Sequence, residues 1–374
     1  MSPSRLNEEP GEDQSQVEID LPILQTKPSY QKLLIALKSL ERPPTSWNGS
    51  PAQASTIKDK VVSHYLLSII SNDLTWLDNS GVGSTVVADQ REELWEVASR
   101  RLAERCGRSA MGEMIRTWVV PSSTNFPELK FEIREPPLTG DNLGLKTWGT
   151  AFAIVKKLED IGNKYLNHLQ FFQSSENNDS RAATTASERS TVRVLELGSG
   201  TGLVGIAAGA LWRANVTLSD LPEIEENLLF NINQNNDTVA SMGGRIQGEV
   251  LDWKNPHGLD HYVSTEFEIV IAADPLYDDE HPDLVARNIK RYLKHHESSR
   301  GLVAIPMRDD HTRSMAQNFK KLMQECGLDL IQHGEEICRD DWAENDGEEV
   351  VKCWWGIWKP TCGSSKDDFN FRSL

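Results

Sequence analysis

Val194-Leu-Glu-Leu-Gly-Ser-Gly-Thr-Gly-Leu-Val-Gly205 decides how the rest of this 374-residue chain is read. A short apolar run ends at Glu196, glycines follow at 198, 200 and 202, and the Ala/Gly-rich stretch from Ile206 to Leu211 has helical character. That order predicts a buried strand, a tight turn and the opening of a helix. A turn without side chains lets a ligand approach the backbone, and a helix N-terminus offers N–H groups to an anion. The segment reads as a site for a nucleotide-like ligand.

Two cofactors fit such a loop. Gly200-x-Gly202-x-x-Gly205 satisfies the dinucleotide fingerprint, and Asp220, 20 residues after Gly200, stands at a ribose position. The same glycines form Glu-x-Gly-x-Gly-x-Gly from Glu196, which resembles motif I of the seven-β-strand S-adenosylmethionine methyltransferases. That resemblance implies a loop cradling the methionine carboxylate through Gly198, Ser199 and Gly200, with Glu196 helping to hold the ammonium. The loop favours the second reading without closing the first, and the rest of the chain must decide.

Composition narrows the classes. A net charge of −17 argues against general nucleic-acid binding, which needs Lys and Arg to neutralise phosphates. It fits a partner with a basic surface. The cysteines at 106, 326, 338, 353 and 362 are scattered and never spaced C-x-x-C, so neither a disulfide framework nor a zinc site is indicated. No apolar run approaches a membrane span, and the acidic N-terminus is no signal peptide. The expected setting is a reduced, cytoplasmic compartment.

Periodicity divides the chain into a disordered acidic tail (1–27), a helical N-terminal region (28–112), an α/β domain (113–360) and a C-terminal tail (361–374). Helices are predicted over Tyr30–Leu40, Ile57–Leu77 and Arg91–Arg105, broken by Pro43-Pro44 and Gly81-Val-Gly83. A β-hairpin is expected from Thr117–Val120 and Phe131–Arg134, then a helix over Leu143–Leu158 that opens with Thr147-Trp148-Gly149. Residues 173–190 read as a Ser/Asn/Ala/Thr-rich linker. Strands follow at Arg193–Leu197, Val216–Ser219, Arg245–Val250, Glu268–Ala272, Gly301–Ile305, Leu328–Gln332 and Val350–Trp358. Helices intervene at Leu203–Leu211, Pro222–Asn233, Pro282–Lys294 and His311–Cys326. The alternation implies an α/β fold: a doubly wound, seven-stranded, mostly parallel Rossmann-like sheet with a helical N-terminal extension. Its last strand returns antiparallel. A dinucleotide domain more often has six parallel strands, so the count favours the methyltransferase reading.

Strand ends carry the candidate chemistry, because ligands of open α/β sheets sit at the carboxyl edge. Asp220 can accept both ribose hydroxyls, against the alternative that it or Ser219 caps the helix at Pro222. In Leu251-Asp252-Trp253 the indole can stack on adenine and Asp252 can approach its amino group. Ala272-Ala273-Asp274-Pro275-Leu276-Tyr277 supplies small residues against which a cofactor can lie, then projects Asp274 and Tyr277 toward the reacting group. Trp148, among small residues, can lid the cofactor or serve as a core tryptophan. Glu335–Glu349 holds eight acids against Arg339, either a solvated loop or a surface that steers a basic substrate.

Together, Thr-Trp-Gly, Glu-Leu-Gly-Ser-Gly-Thr-Gly, Asp-Leu-Pro, Leu-Asp-Trp and Asp-x-x-Tyr resemble the family 16 protein-lysine methyltransferases, over about Phe131 to Lys359. Asp274 to Pro282, the helical extension and Pro306-Met-Arg308 are most similar to the fungal enzymes acting on translation elongation factor 2. The resemblance implies S-adenosylmethionine as cofactor and a monomer that takes a protein substrate, elongation factor 2, without membrane or direct nucleic-acid contact. It places Trp148, Gly198 to Gly200, Asp220, Trp253 and Ala273 at the cofactor, and Asp274 with Tyr277 at the substrate. A lysine starts from a pKa of about 10.4. A sulfonium ~4 Å away opposes its charged form by about 4 kcal/mol at an effective dielectric near 20, so Asp274 reads as an aligner of the amine more than a base. Two other readings remain: an amide or base-amino N-methyltransferase of the Asp-Pro-x-Tyr type, and a non-catalytic cofactor-binding docking module.

Overall fold

The computed structural model describes residues 21–41, 58–79, 84–106, 112–137, 143–169, 192–255, 259, 266–340 and 349–361. The expected linker at 173–190 and most of both tails lie outside these residues. The described chain divides into two compact units, 21–41 with 58–105, and 106–361. No helix among the described residues is long and apolar enough to cross a membrane.

The first unit is helical. Helices α1 (Tyr30–Ser39), α2 (Lys58–Ile70) and α3 (Ser84–Ala103) bury Leu33, Leu37, Leu66, Ile69, Leu94 and Ala98 against one another. The expected Ile57–Leu77 helix stops at Ile70, because the Asn72 side chain accepts the Leu74 N–H at 2.9 Å and turns the chain, with Leu74 at φ 49°. A 3-10 turn over Thr75–Asn79 follows, and Trp76 Nε1 donates to the Pro28 carbonyl at 2.9 Å.

The second unit holds a hairpin, β1 (Met114–Val120) and β2 (Leu129–Glu135), and a seven-stranded sheet. The sheet strands are β3 (Arg193–Leu197), β4 (Asn215–Asp220), β5 (Arg245–Val250), β6 (Ile269–Ala273), β7 (Arg300–Pro306), β8 (Leu328–Asp340) and β9 (Glu349–Pro360). Their order is β5-β4-β3-β6-β7-β9-β8, parallel except for β9, which runs antiparallel to both neighbours. The chain leaves β3 in one direction through β4 and β5, then crosses to β6 on its other side. That reversal opens a crevice at the carboxyl ends of β3, β4 and β6.

Helices α4 (Gly149–Val155), α5 (Leu158–Ile161), α6 (Leu203–Trp212), α7 (Pro222–Ser241), α8 (His281–Tyr292) and α9 (Asp310–Glu325) cover the sheet. Every residue of α6 is buried, which is why it is apolar all round. Helix α9 starts at Asp309, whose carboxylate accepts the Thr312 N–H at 2.7 Å.

Asn227, Asn231 and Asn235, spaced four apart on α7, line up along β2. Asn231 accepts the Arg134 N–H at 2.8 Å and donates to the Arg134 carbonyl at 3.1 Å. Asn235 does the same for Glu132, at 3.0 and 2.8 Å, and Asn227 donates to the Arg134 carbonyl at 3.2 Å. Three amides thus satisfy the strand edge that β1 leaves open.

Beyond the shortened α2, helix α3 begins at Ser84 and not Arg91, α7 runs on to Ser241 past the expected Asn233, and two larger expectations need correction. The Leu143–Leu158 helix is broken into a 3-10 turn (Leu143–Leu145), an extended Trp148 at φ −84°, ψ 152°, and the short α4 and α5. Trp148 leaves helical geometry as its indole N–H bonds the Leu143 carbonyl at 3.1 Å. Strand β8 runs eight residues beyond the expected end at Gln332, with a register shift between Leu330 and Gln332. Part of the acidic stretch is therefore paired strand: Glu335 lies opposite Trp354 and Glu336 opposite Cys353. Glu336 meets Lys157 at 3.2 Å.

Candidate active site

All eleven residues singled out in the sequence line one cavity of about 670 Å³ at the topological switch point: Trp148, Glu196, Gly198, Ser199, Gly200, Asp220, Asp252, Trp253, Ala273, Asp274 and Tyr277. They arrive from five separate strand or helix ends. The sheet is what assembles them.

The glycine loop is cross-braced. Gly198, Gly200 and Gly202 have φ of 66°, 55° and 89°, the left-handed region that side chains disfavour. Gly200 donates to Asp220 Oδ2 at 2.7 Å, and Ser199 Oγ accepts the Ser219 N–H at 3.0 Å. Ser219 Oγ donates to the Glu196 carbonyl at 2.6 Å, and the N-cap of α7 is Leu221, without a side-chain cap bond. Neither Ser219 nor Asp220 is spent on capping α7. Asp220 keeps accepting capacity beyond its two backbone donors, Gly200 and Leu221. Burial raises its pKa, against the pull of those two bonds.

Glu196 is 2% exposed and accepts the Gly205 N–H at 3.0 Å. Burial pushes its carboxyl from 4.5 up to about 8, with Ser199 and Gly205 pulling the other way. Because the folded value is the higher one, the stability it contributes is complete below about 4.5 and lost as pH rises to about 8. At about 1.4 kcal/mol per unit, the loss in the ligand-free protein reaches a few kcal/mol. Glu196→Gln should therefore melt like its parent at pH 4.5 and clearly higher at pH 8.5. An offset equal at both pH values would show that Glu196 does not carry it.

Trp253 is half-buried, and a Cβ on Gly198 would lie 2.7 Å from its Cζ2, so the ring sits directly over the loop. Asp252 is exposed and its Oδ1 accepts the Lys254 N–H at 2.8 Å, which holds the turn beneath that ring. Trp148 is half-buried on the cavity wall and not in the core. Lys146 Nζ and the Arg308 guanidinium lie 4.7 and 5.0 Å from its ring centre. A cradle without side chains, a buried carboxyl poised for a cation, a ribose-type acid and an aromatic over the loop suit S-adenosylmethionine.

At the other end, Asp274 has φ 58° and its N–H bonds the Ala304 carbonyl at 2.8 Å. Its side chain is 8% exposed. Arg308 grips both carboxylate oxygens, at 2.9 and 2.5 Å, and Thr150 Oγ1 donates to Oδ2 at 3.3 Å. Tyr277 is 56% exposed, and its ring meets His281 edge-on at 4.2 Å. Partial desolvation, with Asp220, Asp274 and Asp278 nearby, pushes its phenol up to about 12, so it stays neutral. His281 in turn meets Trp253 edge-on at 5.3 Å, joining the two ends of the cavity. Sequence reasoning assigned no role to His281, Lys146 or Arg308. Four-residue spacing from Tyr277 on a helix start could have flagged His281.

The sequence model of the lysine methyltransferase family matches residues 126–325. Protein-lysine N-methyltransferase EFM2 of Saccharomyces cerevisiae is 30% identical over 82% of this chain and 68% of its own length. Protein-lysine N-methyltransferase rrg1 of Schizosaccharomyces pombe is 28% identical over 91% of this chain and 97% of its own. A calmodulin-lysine N-methyltransferase of Arabidopsis thaliana is 36% identical over a shorter 37% of the chain. With a family match over the sheet and the cavity, and relatives aligned along most of its length, the chain belongs to the lysine methyltransferase family and is an S-adenosylmethionine-dependent protein-lysine N-methyltransferase.

Proposed function

We propose that the enzyme methylates a lysine of translation elongation factor 2, working as a cytoplasmic monomer. Asp274 and Tyr277 receive the lysine, while Trp148, Glu196, Gly198, Ser199, Gly200, Asp220, Asp252, Trp253 and Ala273 hold the cofactor. The single cavity that all of them line supports these roles. Residues 113–360 carry the chemistry and 28–112 serve recognition of a folded substrate. The substrate assignment rests on the resemblance through Asp274 to Pro282, and a net charge of −17 favours a basic protein surface.

Bound S-adenosylmethionine supplies a methyl group on a good leaving group. The protein's contribution is alignment, on the order of 7–11 kcal/mol for well-oriented groups. Asp220 would hold the ribose, Trp253 the adenine and Glu196 the ammonium. Tyr277 packs its exposed ring against the lysine stem. Asp274 accepts an amine N–H and turns the nitrogen lone pair inward.

Purified enzyme with labelled cofactor should place label on one lysine of elongation factor 2 taken from a strain lacking the enzyme. Transfer should slow as salt rises, because surface charges are screened beyond about 8 Å at physiological ionic strength. Label confined to nucleic acid, to glutamine or to other proteins would overturn the substrate.

A further inference from the structure

Asp274 faces the cavity with its charge already matched. Arg308 comes from just past the end of β7, two residues after Pro306, and contacts both carboxylate oxygens. Thr150 supplies a third hydrogen bond from the first turn of α4. A carboxylate has about four lone-pair sites, so three bonds leave one acceptor for an incoming group. The guanidinium is also held from its face by Trp148, 5.0 Å away, and only 30% of the Arg308 side chain is exposed. The ion pair is built into the cavity wall and is no surface accident.

This arrangement bears on the one obstacle to the reaction, the proton on the lysine. A free carboxylate about 4 Å from an ammonium would raise its pKa by roughly three units at an effective dielectric near 20, and would hold the lysine in its unreactive form. A carboxylate neutralised by a bidentate arginine does not. It can still take one N–H of a neutral amine and fix the direction of its lone pair.

We propose that Arg308 is a positioning residue that sets the charge of the lysine site: it cancels Asp274 so that the lysine is accepted as the free amine and aligned by the remaining acceptor. The inference rests on the lysine-methylation reading of this cavity. Arg308 acts through Asp274.

The test is a set of pH profiles of kcat, which report ionisations in the enzyme–substrate complex, for the full-length enzyme and Arg308→Gln, Arg308→Lys, Asp274→Asn and the double variant Asp274→Asn/Arg308→Gln. Calorimetry measures substrate-protein affinity beside them, in the presence of the demethylated cofactor. Arg308→Gln exposes the Asp274 charge. Its acid limb should move up by about one to three units, with at least a tenfold loss of kcat at pH 7.5 and partial recovery at pH 10. Its substrate affinity at pH 7.5 should rise, as the unpaired carboxylate captures the ammonium. Arg308→Lys should keep the limb within half a unit of the parent. The uncharged pair in the double variant should return it close to the parent, whatever its absolute rate. If Arg308→Gln or the double variant folds poorly, Asp274→Asn still decides: it leaves the Arg308 charge unmatched beside the amine, so its limb should move downward, and an unmoved limb overturns the proposal. A uniform loss at every pH, or an unchanged limb and affinity in Arg308→Gln, overturns the proposal while lysine methylation stands. A parent enzyme that methylates no lysine at any pH overturns the underlying reading as well.

Discussion

Gly198→Ala should lower cofactor affinity by at least about a hundredfold, equivalent to roughly 2.7 kcal/mol. Two costs combine. The residue sits at φ 66°, where a side chain costs about 1–2 kcal/mol. The new methyl carbon would also lie 2.7 Å from Trp253 Cζ2, so the indole must leave the position in which it covers the loop. Calorimetry with the demethylated cofactor measures the loss, and thermal melting verifies the fold. Adding Trp253→Ala removes the clash but leaves the backbone strain and takes away the indole itself, so the affinity should not return to the parent's. Affinity within threefold of the parent would mean that the loop does not cradle the cofactor.

Asp274→Ala should reduce kcat by about a hundredfold or more while cofactor affinity changes by less than about threefold. Misplacing a reacting group by about 1 Å costs a factor of this size. On the proposed role, the variant loses the acceptor for the amine, and it releases Arg308 from the two oxygens that now fix it. Tyr277→Ala should lose about tenfold, because His281 still faces the same mouth and the ring acts by packing. Single-turnover methylation and calorimetry separate the two effects. Full turnover in both variants would place the substrate site elsewhere.

The sheet was legible because its signals are local. Strands β3 and β5 have the bounds read from the sequence, and the others differ mainly at their ends. Glycine spacing located the switch point, and strand-end acids located the cavity. What escaped was set by tertiary contact. Trp148 interrupts a helical pattern to put its ring on the cavity wall, which periodicity cannot foresee. Arg308 and Asp274 lie 34 residues apart and meet only because β6 and β7 are neighbours with their carboxyl ends in register. The long β8 hides in an acidic stretch of poor strand propensity, and its pairing with β9 overrides that preference.

The asparagine row on α7 has a consequence for how the chain is made. The amides that close β2 lie 93 to 103 residues downstream of the strand they serve. At about 5–20 residues per second, synthesis leaves the hairpin waiting for roughly 5–20 s before those partners emerge. Throughout that interval β2 presents unpaired N–H and C=O groups beside buried-type residues such as Phe131 and Ile133, a template for pairing with other nascent chains. That exposure ends when α7 docks its asparagines on the strand.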